Sequence, residues 1–341
     1  MRIAWFRAEA PDASNLLDDT ALLIDELRSA HNIDVIVEAD AHDFVWQHAL
    51  RPWDICVYEL DNTHAHAFIW AYLINYPGVV MLRSMDVAHV RVPLFASRCI
   101  VTPSTAAGDL LRARYADIQV RVAPPGIAAS NDVTHRNGGP VKLLVVDNRD
   151  RGRDVVRHAL ERARDAGATF ELLAADAPVS ACDVLISPEW PPFRRVATTV
   201  LVGMAARKAV VTMEMDATAD WPAMDPQTWR PRGIGIGEPP VVVTVDPLDE
   251  EHSLMLAVRR LSSDAALRQQ LGNAAHAWWK QHATPAHAAT TWNQILEEAV
   301  RLNPPPRPDD WPQRFSRDGT ELAREILNEI GVPPTDILAR S

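Results

Sequence analysis

The sequence predicts an α/β protein with two doubly wound domains, each built on a parallel sheet. Short apolar runs rich in Val and Ile alternate with amphipathic stretches, which is the pattern of strands joined by helices that cover both faces of a sheet. The alternation stops at a polar segment, 128–140, that contains Gly-Gly-Pro, and then begins again. The length of 341 residues also favours two domains over one.

The first half of the chain, residues 1–127, alternates between the two patterns. Continuous apolar runs predict buried strands, and apolar residues at helical spacing behind a capping side chain predict helices. The first helix, for example, is expected to begin at Ser14 or Asn15 as its N-cap. The predicted strands are 2–6, 34–39, 54–60, 78–83, 98–104 and 118–127, and the predicted helices are 14–31, 66–75 and 105–116.

The second half repeats the alternation and closes with three consecutive helices. The predicted strands are 141–147, 169–175, 182–188, 209–214 and 241–246, and the predicted helices are 152–167, 194–208, 249–262, 264–282 and 285–302. Segment 303–313 is too rich in proline to be helical, and a short amphipathic helix follows it. We therefore predict a first domain over 1–127, a linker over 128–140, a second domain over 141–302, and a Pro-rich linker with a helical tail over 303–341.

Composition excludes several classes of protein. The formal net charge of −11 argues against a nucleic-acid partner or an anionic membrane surface. The three cysteines, Cys56, Cys99 and Cys182, lie far apart in apolar runs, which is typical of reduced, buried thiols and not of a disulfide framework or a zinc site. No apolar stretch reaches the roughly 18 residues that a membrane span requires. We expect a cytoplasmic protein without a membrane span.

Polar side chains follow the predicted strand 78–83 closely. Arg83, Ser84, Asp86 and His89 occur within seven residues. The carboxyl ends of parallel strands are where open α/β sheets bind ligands. An imidazole can exchange a proton with a hydroxyl group near neutral pH. The sequence therefore predicts a ligand site at this strand end, with His89 among its residues.

Three segments together resemble the nucleotide-sugar glycosyltransferases of family 4. They are YELDNTHAHAFIWAYLINYPGVVMLRSMDVAH (58–89), VTPSTAAGDLLRARYADIQVRVAPPGI (101–127), and the stretch from LVGMAARKAVVT (201–212) to the helices that end in HAWW (276–279). The resemblance extends over about residues 1 to 300. It implies the GT-B fold, in which two Rossmann-like domains face a cleft. It also implies retaining transfer of a sugar from a nucleotide diphosphate donor, with no cofactor and no metal.

In the first domain the resemblance assigns the acceptor side of the site. Asn62 matches the Asn of a family Gly-Asn pair, His66 matches a His that precedes Ala-Phe, and His89 matches the last His of a pair. The resemblance implies substrate binding by Asn62 and His66 and a catalytic role for His89. Arg83 and Ser84 stand where the family has His and Asp, so Arg83 is a substrate-binding candidate of changed chemistry. Each position also has a structural explanation, such as a turn at Asn62.

In the second domain the resemblance assigns the donor side. Arg151 stands at the family's Lys-Gly position, whose cation binds the donor diphosphate. Arg194 or Arg195 falls where the family has a donor-site glutamate, and Glu189 lies nearby at a different spacing. The donor-binding candidates are therefore Arg151, Arg194, Arg195 and Glu189. Alternatively, Arg151 is a solvated loop residue, and Arg194 and Arg195 pair with local acids.

Two functions stay open from the residues. The retained order of segments and Arg151 favour a glycosyltransferase. The missing glutamates and the absence of glycine from RAEAPDASNLL, the loop after the first strand, favour a catalytically degenerate homologue that serves as a non-catalytic partner subunit or a binding module. The expected partners are a nucleotide sugar with an unknown acceptor, together with an active glycosyltransferase or a second copy of the chain.

Overall fold

The computed structural model describes most of the chain, and the strands of that part fall into two sheets. Each sheet belongs to one half of the sequence, as predicted. The described residues are 1–9, 18–85, 91–129, 139–146, 153–188, 198–215, 218, 221–232, 238–312 and 321–333.

The first sheet has six strands within the described residues, and all of its neighbouring strands pair in parallel. Alternate residues of the first strand enter two different apolar clusters, Ala4 and Phe6 on one face, Ile3 and Trp5 on the other. Both faces are therefore buried, which explains the continuous apolar runs. The strands are β1 Arg2–Phe6, β2 Asn32–Ile36, β3 Ile55–Leu60, β4 Val79–Leu82, β5 Cys99–Thr102 and β6 Val120–Val122, and the helices are α1 Asp19–Leu27, α2 Ala41–Leu50, α3 Ile69–Asn75, α4 Arg91–Ala96 and α5 Thr105–Arg114.

The strand order of this sheet is β2-β1-β3-β4-β5-β6. Strand β1 therefore pairs with β2 on one side and with β3 on the other, and the chain changes direction across the sheet between them. Such a switch point opens a crevice at the carboxyl ends of the two strands, where doubly wound proteins bind ligands.

The second sheet has seven described strands in the order β12-β11-β13-β10-β9-β7-β8. Its pairs are parallel except for β11 with β12. The switch point lies between β7 and β9. The strands are β7 Val141–Val145, β8 Phe170–Leu172, β9 Val184–Ser187, β10 Ala209–Met213, β11 Ala223–Met224, β12 Pro231–Arg232 and β13 Val242–Val245, and the helices are α6 Arg153–Asp165, α7 Thr198–Ala205, α8 Glu250–Ser263 and α9 Ala265–His282.

Helix α10, Pro285–Ala299, carries the chain back onto the first domain. Thr284 caps it and Pro285 opens it, which is a favourable start for a helix. Its buried face joins the apolar cluster of the first sheet, where the ring centroids of Trp292 and Trp5 are 5.2 Å apart. The predicted domain boundary at residue 302 stays a prediction, but the apolar face of α10 belongs to the first-domain core. A short helix α11, Glu321–Glu329, follows in the tail.

The passage between the two domains is held by a few close contacts. The backbone N–H of Ile127 donates to the carbonyl of Ala283 at 2.9 Å. The indole Nε1–H of Trp279 donates to the carbonyl of Ile127 at 3.1 Å. Immediately before this point, Gly126 packs against the start of α10, so that the linker and the returning helix share one junction.

Substituting Gly126 by alanine is expected to destabilise the protein by about 1–3 kcal/mol. An added Cβ would lie 2.7 Å from Pro285 Cα and 2.9 Å from the Thr284 carbonyl oxygen, which are backbone atoms that cannot move alone. Urea unfolding measures the change. Gly108→Ala is the matched control, because its new Cβ meets only side-chain atoms at 3.2–3.3 Å and gains helix propensity in α5. Equal costs for the two variants would contradict the packing seen at the junction.

Two local predictions differ from the structure. The first helix is capped by Asp18, whose carboxylate accepts from the Ala21 N–H at 2.9 Å, and not by Ser14 or Asn15, which lie outside the described residues. An aspartate N-cap is as favourable as a serine, so composition alone did not decide between them. Helices α2 and α4 were not predicted, since α2 is weakly patterned and α4 contains Pro93.

All three cysteines lie in the described part of the chain. Cys56, Cys99 and Cys182 are unpaired and buried, and burial raises the pKa of the Cys56 thiol to about 11. Among the residues with described placement, no helix has the length and apolar character needed to cross a membrane.

Candidate functional site

Five charged side chains meet at the switch point of the first sheet. Arg7 follows β1, Glu59 lies near the end of β3, Arg83 follows β4, and Asp18 and Asp19 begin α1. They are hereafter the switch-point cluster. Parallel strands end at the same edge of a sheet, so residues distant in sequence converge here.

Arg83 is the best-paired member of the cluster. Its Nη1 and Nη2 donate to the two carboxylate oxygens of Asp19, each at 2.8 Å. Its Nε lies 3.3 Å from Glu59 Oε1. Bidentate pairing with a buried carboxylate is the strongest arrangement available to an arginine. The predicted role of Arg83 in substrate binding stays a prediction, and the structure holds its guanidinium against Asp19 and Glu59.

Arg7 closes the other side of the cluster. Its Nη2 lies 2.9 Å from Asp18 Oδ2, and its Nε lies 3.6 Å from Glu59 Oε2. The hydroxyl of Thr20 donates to Glu59 Oε1 at 3.2 Å. Asp18 therefore caps α1 and pairs with Arg7 at the same time, which ties the helix start to the sheet edge.

Glu59 is a buried carboxylate at the centre of the cluster. Burial raises the pKa of Glu59, and the nearby Arg83 and Arg7 offset only part of that effect. Its Oε2 accepts no hydrogen bond among the described residues. Removing a carboxylate from water costs free energy that long ion pairs do not fully restore.

This raised pKa predicts a pH dependence of stability. The stability associated with neutral Glu59 is fully present below its ordinary pKa of 4.5 and is lost as pH rises through the folded-state value. The wild-type free energy of unfolding should therefore fall relative to that of Glu59→Gln, by up to about 1.4 kcal/mol per pH unit in that interval. Urea unfolding of both proteins from pH 4 to pH 8 measures the difference. A difference that grows in favour of the wild type with rising pH would contradict the raised pKa.

A polar rim, 61–66, continues from β3 beside the cluster. The backbone N–H of Asn62 donates to Asp61 Oδ1 at 2.7 Å, a contact made by the side chain of Asp61 and not by that of Asn62. His66 Nδ1 and the Thr63 hydroxyl are hydrogen-bonded at 2.8 Å. Burial lowers the pKa of His66, Asp61 opposes this effect, and Arg83 and Arg7 reinforce it. A neutral imidazole that exchanges hydrogen bonds with hydroxyl groups suits such a rim.

A small cavity of about 20 Å³ adjoins the cluster. Asp19 and Arg83 form its polar side, and Trp292 of α10 closes the apolar side. This volume has room for about one water molecule. The cavity is completed by the turn Pro124-Pro125-Gly126, which the resemblance places at the entry to the second domain.

The donor-side candidates fall outside the described residues. Arg151, Glu189, Arg194 and Arg195 are among them, and so is His89 on the acceptor side. The strand ends from which their segments depart are described: β7 and β9 pair side by side, and the N–H of Val146 donates to the carbonyl of Ile186 at 2.9 Å. The predicted roles of these five residues stay predictions.

The second sheet carries a row of hydroxyl groups close to its carboxyl edge. Ser187 pairs in register with Thr212, and Thr212 with Thr244, so the three side chains share one face of the sheet. Thr212 donates to the carbonyl of Ser187 at 3.2 Å. Ser187 Oγ and Thr244 Oγ1 are buried with no hydrogen-bond partner within the described part of the chain. Sequence reasoning did not single out this row, although each residue ends or nearly ends an apolar strand.

Comparison with known proteins identifies the architecture. No protein-family model matches the chain, and no curated protein matches it. Several solved structures match the chain. The alignment with a sucrose-phosphate synthase from Thermosynechococcus elongatus has a TM-score of 0.63 at 12% identity, and it covers 87% of this chain and 98% of the synthase chain. HepE from Anabaena, in complex with UDP and glucose, has a TM-score of 0.59 at 13% identity, covering 88% and 99%. A glycosyltransferase from Rickettsia africae has a TM-score of 0.55 at 11% identity, covering 89% and 99%.

These likenesses extend over nearly the whole of each chain, including both domains. At identities of 11–13% they establish the fold and carry no residue assignments. The two Rossmann-like sheets of the described residues agree with that likeness. The chain therefore has the GT-B fold that the sequence resemblance implied.

Proposed function

We propose that the protein transfers a sugar from a nucleotide diphosphate donor to a hydroxyl group of an acceptor, with retention at the anomeric carbon. The observation that carries the proposal is the likeness to HepE in complex with UDP and glucose over 88% of this chain and 99% of that one. The donor would occupy the second domain, and the acceptor would occupy the crevice of the first. No cofactor or bound metal is part of the proposal.

On the donor side, the proposal assigns binding of the diphosphate to arginine side chains. Arg151 precedes α6, and Arg194 and Arg195 precede α7. A helix start favours an anion, and an arginine pairs bidentately with phosphate oxygens. In the proposed reaction these cations hold the leaving diphosphate and stabilise the charge that develops on it, while Glu189 accepts hydrogen bonds from donor hydroxyls.

The acceptor side rests on positioning. Asn62 and His66 on the polar rim would orient the acceptor hydroxyl, and His89 would complete the edge. The switch-point cluster holds β1, β3, β4 and α1 in a fixed arrangement. Holding two reactants in the reactive geometry is itself a large part of the rate enhancement of group transfer.

Release of UDP from UDP-glucose, with water receiving the glucosyl group in place of the acceptor hydroxyl, tests the proposed activity. The wild type should release UDP, and Arg151→Ala should slow the release by about 10²-fold, because it removes a group that stabilises the leaving diphosphate. Arg157→Ala is the matched control: Arg157 lies on α6, exposed, and pairs with Asp154 and Glu161. No release by the wild type with any nucleotide sugar, or equal effects of the two variants, would contradict the proposal.

A second candidate is a non-catalytic homologue that binds a nucleotide sugar or a partner transferase. The cluster favours it, since charged side chains pair with one another at the position where a ligand crevice is expected. Binding of a nucleotide diphosphate without any release of the donor sugar would support this candidate over the enzyme.

A further inference from the structure

The cations of the first-domain crevice are already paired. Every guanidinium nitrogen of Arg83 faces a carboxylate: Nη1 and Nη2 face Asp19 at 2.8 Å, and Nε faces Glu59 at 3.3 Å. Arg7 directs Nη2 to Asp18 at 2.9 Å and Nε to Glu59 at 3.6 Å. The cluster holds two arginines and three carboxylates, so it offers an incoming anion no excess of positive charge.

The start of α1 is likewise occupied. A helix N-terminus attracts anions through its free N–H groups and its dipole. Here the Asp18 carboxylate accepts a hydrogen bond from the Ala21 N–H at 2.9 Å. Asp19 occupies the first helical position and is only 4% exposed. Asp18 and Asp19 thus occupy the place where a phosphate would bind. An incoming anion would be repelled by these two carboxylates.

The sequence that follows Arg7 and Arg83 along the chain adds no strong cation for several residues. Residues 8–17, between β1 and the N-cap, read AEAPDASNLL, and residues 84–90 read SMDVAHV. Neither contains a lysine or an arginine, and together they add Glu9, Asp12 and Asp86. The rim supplies an amide, hydroxyl and imidazole groups and the carboxylate of Asp61. These groups recognise hydroxyls by hydrogen bonding.

We infer that the first-domain crevice excludes phosphate and carboxylate groups and receives an uncharged, hydroxyl-bearing acceptor. The word acceptor rests on the proposed function; the exclusion of anions rests on the pairing within the cluster. Asp19 is then a specificity-determining residue, because it withholds Arg83 from any anionic ligand.

Isothermal titration with inorganic pyrophosphate tests the inference on the full chain. Pyrophosphate should bind the wild type through the proposed donor site, and Arg151→Ala should remove that binding. In the Arg151→Ala background, Asp19→Asn should strengthen the binding of pyrophosphate to the first domain by about tenfold or more, since it frees a buried arginine for charge-assisted hydrogen bonds. Asp25→Asn in the same background is the control, because Asp25 is exposed on α1 and pairs with Arg28, three residues away.

The outcomes separate the two proposals. Binding that survives Arg151→Ala and disappears in a folded Arg83→Gln variant would overturn the exclusion of anions, and so would a folded Asp19→Asn variant that gains nothing over Asp25→Asn. If Asp19→Asn fails to fold, the test is the comparison of Arg151→Ala with Arg151→Ala/Arg83→Gln. Absence of pyrophosphate binding to Arg151→Ala then supports the inference. If the wild type binds no pyrophosphate, the result counts against the proposed donor site but agrees with the exclusion of anions from the first-domain crevice.

Discussion

Replacing Arg83 by alanine is expected to lower the free energy of unfolding by about 3–5 kcal/mol, because removal of one partner leaves a buried charge uncompensated. Asp19 is 4% exposed and receives both of its close contacts from the guanidinium of Arg83. Glu59, also buried, would lose the nearer of its two arginines. Urea unfolding at pH 7 measures the change in the midpoint and in the free energy.

Two further variants separate pairing from the general effect of removing an arginine. Arg28→Ala breaks an exposed pair with Asp25 at the end of α1, so its cost should stay below about 1 kcal/mol. The double variant Asp19→Leu/Arg83→Met should recover most of the stability lost in Arg83→Ala, because apolar replacement of a buried pair leaves no charge without a partner. Equal costs for Arg83→Ala and Arg28→Ala would contradict the burial of the cluster.

Trp292→Ala is expected to cost about 3–5 kcal/mol through the cavity that it leaves. Trp292 is 1% exposed and packs its ring on Trp5 between α10 and the first sheet. Because α10 follows the last helix of the second domain, the loss should weaken the attachment of the returning helix as well as the core. Thermal unfolding should show a lower midpoint, and limited proteolysis should cut near α10 before the strands.

Trp46→Ala provides the control for this substitution. Trp46 lies on α2 in the same domain but is 75% exposed, so its truncation should change stability by at most about 0.5 kcal/mol. A loss at Trp46 equal to the loss at Trp292 would mean that α10 does not pack on the first domain as described.

The sequence predicted the fold well because both sheets are buried on two faces. Continuous apolar runs such as 2–6 and 209–214 then mark strands directly, and the helices between them carry regular apolar faces. The helices that escaped prediction lack such a face: α2 exposes Val45, Trp46 and Leu50, and α4 is six residues long. The return of α10 to the first domain also depends on tertiary packing, which local patterns do not encode.

The sequence singled out the strand end at Arg83 but not the side chains that pair with this arginine. The strand end at Arg83 was identified because the sequence changes there from apolar to polar residues. Arg83 lies at the switch-point edge of the sheet. Its partners were missed because Glu59 and Asp19 meet it only through the parallel register of β3 and β4 and the start of α1. A charged residue inside an apolar strand, as in Tyr-Glu-Leu at 58–60, was the available signal for a buried ion pair.

The measurement that tests the central claim most directly is thermal unfolding with a panel of nucleoside diphosphates, each compared with its monophosphate at the same concentration. If the GT-B fold of this chain serves a nucleotide diphosphate donor, one diphosphate should raise the midpoint. At about a hundred times its dissociation constant it would add roughly 2.7 kcal/mol, which is a shift of several degrees for a protein of this size. A cooperative transition that no diphosphate moves would contradict the proposed donor site.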